Sequence, residues 1–264
     1  MSTHETRPLR GIAPYVGGKR LLAKTIIEII EKTPHTTYVE PFAGMGGVFF
    51  RRRYPARAEV INDLSGDVAT LFRVLQRHYL AFVEMLRWQL TTRAEFDRLV
   101  ATDPTTLTDL ERAARFFYLQ KNTFGGKVAG RTFGVSPAEA APFDVTRIIP
   151  DLEAYHLRLA AVTIERLPYD QVLRRYDRPA TLFFIDPPYL GTEHYYGEGM
   201  FSRADFQCLA DQLAGLQGRF ILTINDCPEA RAIFKPFRVT TKGLHYHLSG
   251  GAVKARELIV QGRA

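Results

Sequence analysis

The chain has little cysteine. Cys208 and Cys227 are its only two, they are not spaced as a CxxC pair, and two thiols in 264 residues do not make a disulfide scaffold. That usage fits a reducing, cytoplasmic setting. Long apolar runs are missing too: nothing approaches the roughly 20 residues of a membrane span. The opening stretch MSTHETRPLRG lacks the apolar core of a secretion signal and reads as a short mobile tail. Internal repeats and low-complexity segments are absent as well. Acidic residues are outnumbered, 28 against 35 Lys and Arg, which gives a net charge of +7. The excess favours an anionic partner such as nucleic acid, although a solvated basic surface would account for it as well.

What is present is a strand–helix rhythm with an interruption. Residues 20–32, RLLAKTIIEIIEK, carry apolar positions at helical spacing, and Pro34 follows the stop. TTYVEPF holds a short strand from Thr37 to Glu40, AGMGG a glycine turn, and VFFRRR the opening of a helix. AEVINDL is a second strand ending at Asp63, and Ser65 is placed to cap the long helix SGDVATLFRVLQRHYLAFVEML. Strand, turn, helix and strand in this order make a parallel βαβ unit. From about 66 to 160 the pattern is mainly helical, with a loop or hairpin at KNTFGGKVAGRTFGVS. Strands then resume at AVTIERL, TLFFIDPPY and GRFILTINDC, with the helix SRADFQCLADQLAGL capped by Ser202. RVTTKGLHYHL and ARELIVQGR close the chain as an edge hairpin. The expected fold is an α/β, Rossmann-like sheet domain made of residues 1–65 and 161–264, split by a helical insert over 66–160.

The glycine turn around Gly44 and Gly46 follows a strand, and Asp63 ends the next one, an offset suited to a ribose. A structural turn with a helix-capping acid would use the same residues. The turn is not a GxGxxG, and Glu40 stands just before it. A carboxylate there repels phosphates and suits a cation. The pattern therefore points away from a dinucleotide and towards a nucleoside with a positive amino-acid tail, such as S-adenosylmethionine.

TLFFIDPPY poses a sharper question, because an apolar strand runs straight into an acid, two prolines and a tyrosine. Ligands bind beyond the carboxyl ends of parallel strands. Proline fixes φ and has no N–H, so Pro187 and Pro188 make a stiff loop with outward carbonyls. The Asp186 side chain and the Pro187 carbonyl then form two fixed acceptors beside the Tyr189 ring. An exocyclic amine on a planar base fits them. Its lone pair is delocalised into the ring, and holding both hydrogens favours a pyramidal nitrogen that can attack a methyl donor. Asp186 would stabilise the positive charge that develops.

These motifs resemble the Dam-like (D12 class, α group) DNA adenine-N6 methyltransferases. The matching segments are YVGGKR (15–20), YVEPFAGMGGVFF (38–50), INDLSGDV (61–68), KNTFGG (121–126), FIDPPY (184–189) and LTIND (222–226), in the α-group order. The resemblance covers nearly the whole chain. It implies site-specific methylation of a flipped adenine in double-stranded DNA, with S-adenosylmethionine as donor and no metal. It also implies that Tyr15 and Lys19 lie near the cofactor. Glu40, Phe42, Gly44 and Gly46 would hold its methionine tail and adenosine, and Asp63 its ribose. Asp186, Pro187 and Tyr189 would hold the adenine, with Asp186 also near the cofactor. Tyr195, Tyr196 and Phe201 would fall in a loop that closes over the target. Tyr15 stands where the family commonly has Trp, and the DNA-reading hairpin is only loosely matched, so the recognition sequence does not transfer.

Other readings attach to the same chain. Cytosine-N4 relatives usually carry Ser, and glutamine methyltransferases Asn, where this chain has Asp186. RNA as substrate and a catalytically silent DNA-binding module complete the alternatives. Lys121, Asn122, Lys127 and Arg131, on a glycine-bearing loop with Phe124 and Phe133, are the candidate DNA contacts. Arg51, Arg52 and Arg53 read as a solvated helix face, with a phosphate contact as the alternative, and Trp88, Phe116, Phe117 and Tyr118 as core. His245 and His247 have the spacing of a metal pair on a strand, but no third ligand accompanies them.

Overall fold

A computed structural model describes residues 5–15, 17–19, 21–134, 138, 140–192, 201–248 and 251–263. Its centre is a sheet of seven strands: β1 (Thr37–Glu40), β2 (Ala58–Asn62), β3 (Thr163–Glu165), β4 (Thr181–Ile185), β5 (Arg219–Asn225), β6 (Phe237–Leu248) and β7 (Gly251–Arg263). Their order is β3-β2-β1-β4-β5-β7-β6. The first five pair in parallel, and β7 runs antiparallel between β5 and β6. The C-terminal hairpin is present, with β7 as its inner strand. The order of strands reverses between β1 and β4, and that switch point is where an open α/β sheet forms a crevice.

Burial explains why these segments become strands. β4 is buried along its whole length. Leu182 and Phe184 face one apolar cluster, Phe183 and Ile185 the other. Two-sided burial selects continuous apolar runs rather than alternating ones. One face is covered by α1 (Ala23–Lys32), α2 (Gly66–Arg77), α3 (Tyr79–Arg87), α4 (Arg93–Ala101), α5 (Asp109–Asn122) and α6 (Val145–Leu159). The other is covered by α7 (Tyr169–Tyr176), α8 (Arg203–Ala214) and α9 (Pro228–Ile233). Segment 66–160 is thus the long crossover from β2 to β3. It shares a single apolar cluster with β1, β4, β5 and β7.

Caps set several boundaries. Thr108 with Glu111 and Ser202 with Asp205 form reciprocal capping boxes at α5 and α8. Ser65 does occupy the N-cap of α2, but without a side-chain cap bond. The helix expected through residues 65–86 breaks at His78, whose φ of −128° is not helical. VFFRRR makes only a 3₁₀ turn, Phe49–Arg51. Arg52 is not solvated. It is 1% exposed, donates to Glu59 Oε1 at 2.6 Å and lies 3.7 Å from the Tyr38 ring centre. That buried pairing takes residue 52 out of the helix. Trp88 is 79% exposed at the end of α3, so it is not core, whereas Phe116, Phe117 and Tyr118 are. His245 and His247 lie on β6, and the placement of their side chains lies outside what the structure describes.

Candidate active site

Four strand ends converge on one cavity of about 1450 Å³. β1 delivers Glu40 and Phe42, β2 delivers Asp63, β3 delivers Leu167 and Tyr169, and β4 delivers Asp186 and Pro188. Buried Asn62 ties three of these ends together. Its amide donates to Pro41 O at 2.8 Å and Leu167 O at 3.0 Å, and its Oδ1 accepts from Leu167 N at 2.8 Å.

The glycine turn is built as its residues require. Gly44 and Gly46 have φ of 50° and 69°. A Cβ on Gly46 would sit 2.3 Å from the Phe50 ring, and one on Gly44 would sit 3.1 Å from the Tyr15 ring. Asp63 holds the turn to α2, its carboxylate accepting from Gly44 N at 2.8 Å and Ser65 N at 2.9 Å. Burial raises its pKa to about 6, against the pull of those two bonds. Glu40 is 1% exposed and accepts from the Tyr38 hydroxyl at 2.6 Å. Burial lifts its pKa to about 8, while the Tyr38 bond and Arg52 oppose the rise. Phe42 stacks on Tyr169 at 5.5 Å and meets Phe201 edge-on at 5.7 Å, forming an aromatic wall.

At the end of β4, Asp186 Oδ1 receives Lys19 Nζ at 2.7 Å and the Thr223 hydroxyl at 2.8 Å. Burial raises the Asp186 pKa, and Lys19 opposes that rise. Lys19 is itself 4% exposed and also donates to the Tyr189 hydroxyl at 2.9 Å. The Tyr189 hydroxyl in turn donates to Glu257 Oε1. Pro187 is buried, and its neighbour Pro188 rather than Pro187 borders the cavity. Tyr195 and Tyr196 lie outside the described residues.

A family model described as "D12 class N6 adenine-specific DNA methyltransferase" matches residues 15–248. The chain belongs to that family. This methyltransferase is 22% identical over 251 residues to the type II methyltransferase M.CviBI of Paramecium bursaria Chlorella virus NC1A, covering 93% of this chain and 95% of that one. Among solved structures it is similar to a precorrin 8w decarboxylase from Methanobacterium thermoautotrophicum, at 13% identity and a TM-score of 0.42 over 99% of both chains. The enzyme is a transferase that methylates adenine N6 in DNA. Membership in this family implies S-adenosylmethionine as methyl donor.

The four proposed DNA contacts do not share one surface. Asn122 is fully buried, and its amide donates to Tyr118 O at 2.9 Å, so it cannot reach a base from this position. Lys121 borders the cavity, and burial lowers its pKa. Arg131 donates to Gln120 Oε1 at 2.9 Å, and burial lowers its pKa to about 10. Lys127 is exposed, as is Phe124 at 66%. Gln120, fully buried, also donates to Pro14 O at 3.0 Å and Gly126 O at 3.2 Å. The loop therefore rests on the segment that leads to Tyr15 and is not independent of the cavity. Sequence reasoning missed Gln120, Asn62, Tyr169 and Glu257. Tyr169 was within reach, since it follows the carboxyl end of a parallel strand.

Proposed function

We propose that the enzyme binds S-adenosylmethionine and a flipped adenine from double-stranded DNA in this one cavity, with Asp186 between them. The observation that carries this reading is that Glu40, at the end of β1, and Asp186, just past the end of the adjacent β4, both line a single space. That space exceeds the roughly 300–1,000 Å³ of a single small-molecule site, so two ligands fit. A buried acid at the end of β1 suits an ammonium group, and the Phe42–Tyr169–Phe201 wall suits a purine. The residues present therefore fit the donor. Tyr15 and Gly44 line its side of the cavity, Gly46 bends the turn behind that lining, and Asp63 is placed for its ribose. When bound, it supplies an electrophilic methyl group.

The chain's own part is positioning and electrostatics. Both bonds to Asp186 fall on Oδ1, which leaves Oδ2 for the N6 hydrogen. The second acceptor would be a backbone carbonyl of the Pro187–Pro188 segment, of which Pro188 borders the cavity, on backbone that proline cannot bend away. Holding both hydrogens directs the nitrogen lone pair out of the amine plane, and the carboxylate stabilises the charge that appears on N6. Lys19 favours the charged form of Asp186, against the burial that raises its pKa. An adenine stacked within a duplex cannot reach an acid at this depth, which is why the reading requires base flipping. Exposed Lys127 is placed to meet phosphate. With Cys208 and Cys227 as free thiols, the protein fits a reducing compartment such as the cytoplasm.

Long-read methylation mapping of DNA from an expressing host tests the reading. N6-methyladenine should appear at one short sequence and vanish with Asp186→Ala. In vitro that variant should lose about 3–4 kcal/mol of transition-state stabilisation. Turnover within a few-fold of the parent enzyme would remove Asp186 from the chemistry.

A further inference from the structure

We propose that Glu257 is a positioning residue for methyl transfer, fixing the loop after β4 through the Tyr189 hydroxyl and the Lys19 ammonium. This rests on the reading of Asp186 given above. Glu257 lies on β7, is 2% exposed and sits 71 positions beyond Asp186 in the sequence. It accepts from the Tyr189 hydroxyl, and its Oε2 lies 3.9 Å from Lys19 Nζ. Lys19 thus stands between two buried carboxylates, 2.7 Å from Asp186 and 3.9 Å from Glu257. Tyr189 completes the cluster by accepting from Lys19 while donating to Glu257.

The neighbouring strand reinforces this hold. Glu257 is paired in register with Asn225 of β5. Asn225 clasps the next loop residue twice: Leu190 N donates to its Oδ1 at 3.0 Å, and its amide donates to Leu190 O at 3.1 Å. Residues 189 and 190 are therefore gripped side by side by two adjacent strands. A proline pair stiffens the front of the loop, and β5 and β7 anchor its rear. Asp186 is held at the front by Lys19, the same ammonium that Glu257 and Tyr189 orient. Replacing Glu257 by a neutral side chain removes one of the two carboxylates beside the Lys19 ammonium and the acceptor of the Tyr189 hydroxyl at once.

The test is Glu257→Gln in the full-length enzyme, with Tyr189→Phe, the double variant and Asp186→Ala alongside. Single-turnover methylation of an oligonucleotide duplex should fall roughly tenfold to hundredfold in Glu257→Gln, the scale of a slightly misplaced reacting group. Affinities for S-adenosylmethionine and DNA should stay within about threefold, since only the transition-state arrangement is disturbed. The double variant should lose clearly less than the product of the two single losses, because both act through one contact. Full activity in Glu257→Gln, or losses that simply multiply, overturns the inference. If Glu257→Gln does not fold, Glu257→Met carries the same expectation, and failure of both to fold makes the role structural and overturns it. An active Asp186→Ala would instead sink the reading of the site itself.

Discussion

Glu40→Gln isolates a proton that the cofactor should displace. In the free enzyme burial holds the Glu40 pKa at about 8, against an ordinary 4.5. At pH 7 the group is mostly protonated, and ionising it costs about 1.4 kcal/mol, or tenfold in affinity. An ammonium tail bound against Glu40 needs the carboxylate. Binding at pH 7 should therefore release about 0.9 proton. Calorimetry in buffers of differing ionisation enthalpy reads that number directly. The range pH 6 to 7.5 avoids titrating the ligand's own amine, ordinarily near 7.7–8.0. Within it the affinity should rise almost tenfold per pH unit, and Glu40→Gln should abolish both the rise and the proton release. Folding stability gives an independent check of sign. A carboxyl whose pKa is raised by folding contributes stability that is full below 4.5 and is lost as pH rises through about 8. The Gln variant should lack that slope. A wild-type enzyme with no proton release and a flat affinity across this range would refute the reasoning. A slope that survives in Glu40→Gln would assign the proton elsewhere, with Asp63 the next candidate.

Three further outcomes follow from the geometry. Gly46→Ala should destabilise the fold, by about 1–2 kcal/mol for the left-handed backbone and about 1–3 kcal/mol more for displacing Phe50, read by urea unfolding; a midpoint unchanged from the parent would mean the turn relaxes freely. Lys127→Ala should weaken binding to all duplexes alike and reduce the slope of log affinity against log salt by about 1; an unchanged slope would remove Lys127 from the phosphate contacts. A fluorescent adenine analogue at the target position should brighten less with Tyr189→Ala than with the parent enzyme, since the lost hydroxyl bonds to Lys19 and Glu257 loosen the loop that carries Asp186; equal brightening would mean that the loop keeps its place without Tyr189.

The sequence by itself determined the sheet, the order of its motifs and the strand ends that border the cavity. β4 was legible because two-sided burial demands an unbroken apolar run, and the residue at the end of such a run must face the crevice. The glycine turn was legible because positive φ at Gly44 and Gly46 excludes most side chains. The helical crossover was legible as helix, but not as a partner in the same core. The tertiary structure decided the rest. An exposed glycine-rich loop and a buried one share a composition, so only packing separates Lys127, which is exposed, from Asn122, which is buried under its own helix. Arg52 reads as a surface residue until Glu59 and Tyr38 are brought to it. Pattern also suggested that the Tyr189 ring was its whole contribution, whereas its hydroxyl is tied to Lys19 and Glu257. Those partners lie 170 residues before it and 68 after it. Hydrophobic periodicity is a local signal that reports which face of an element is buried. It carries nothing about which distant polar groups will meet there, because that depends on strand order and register, which exist only once the chain has folded.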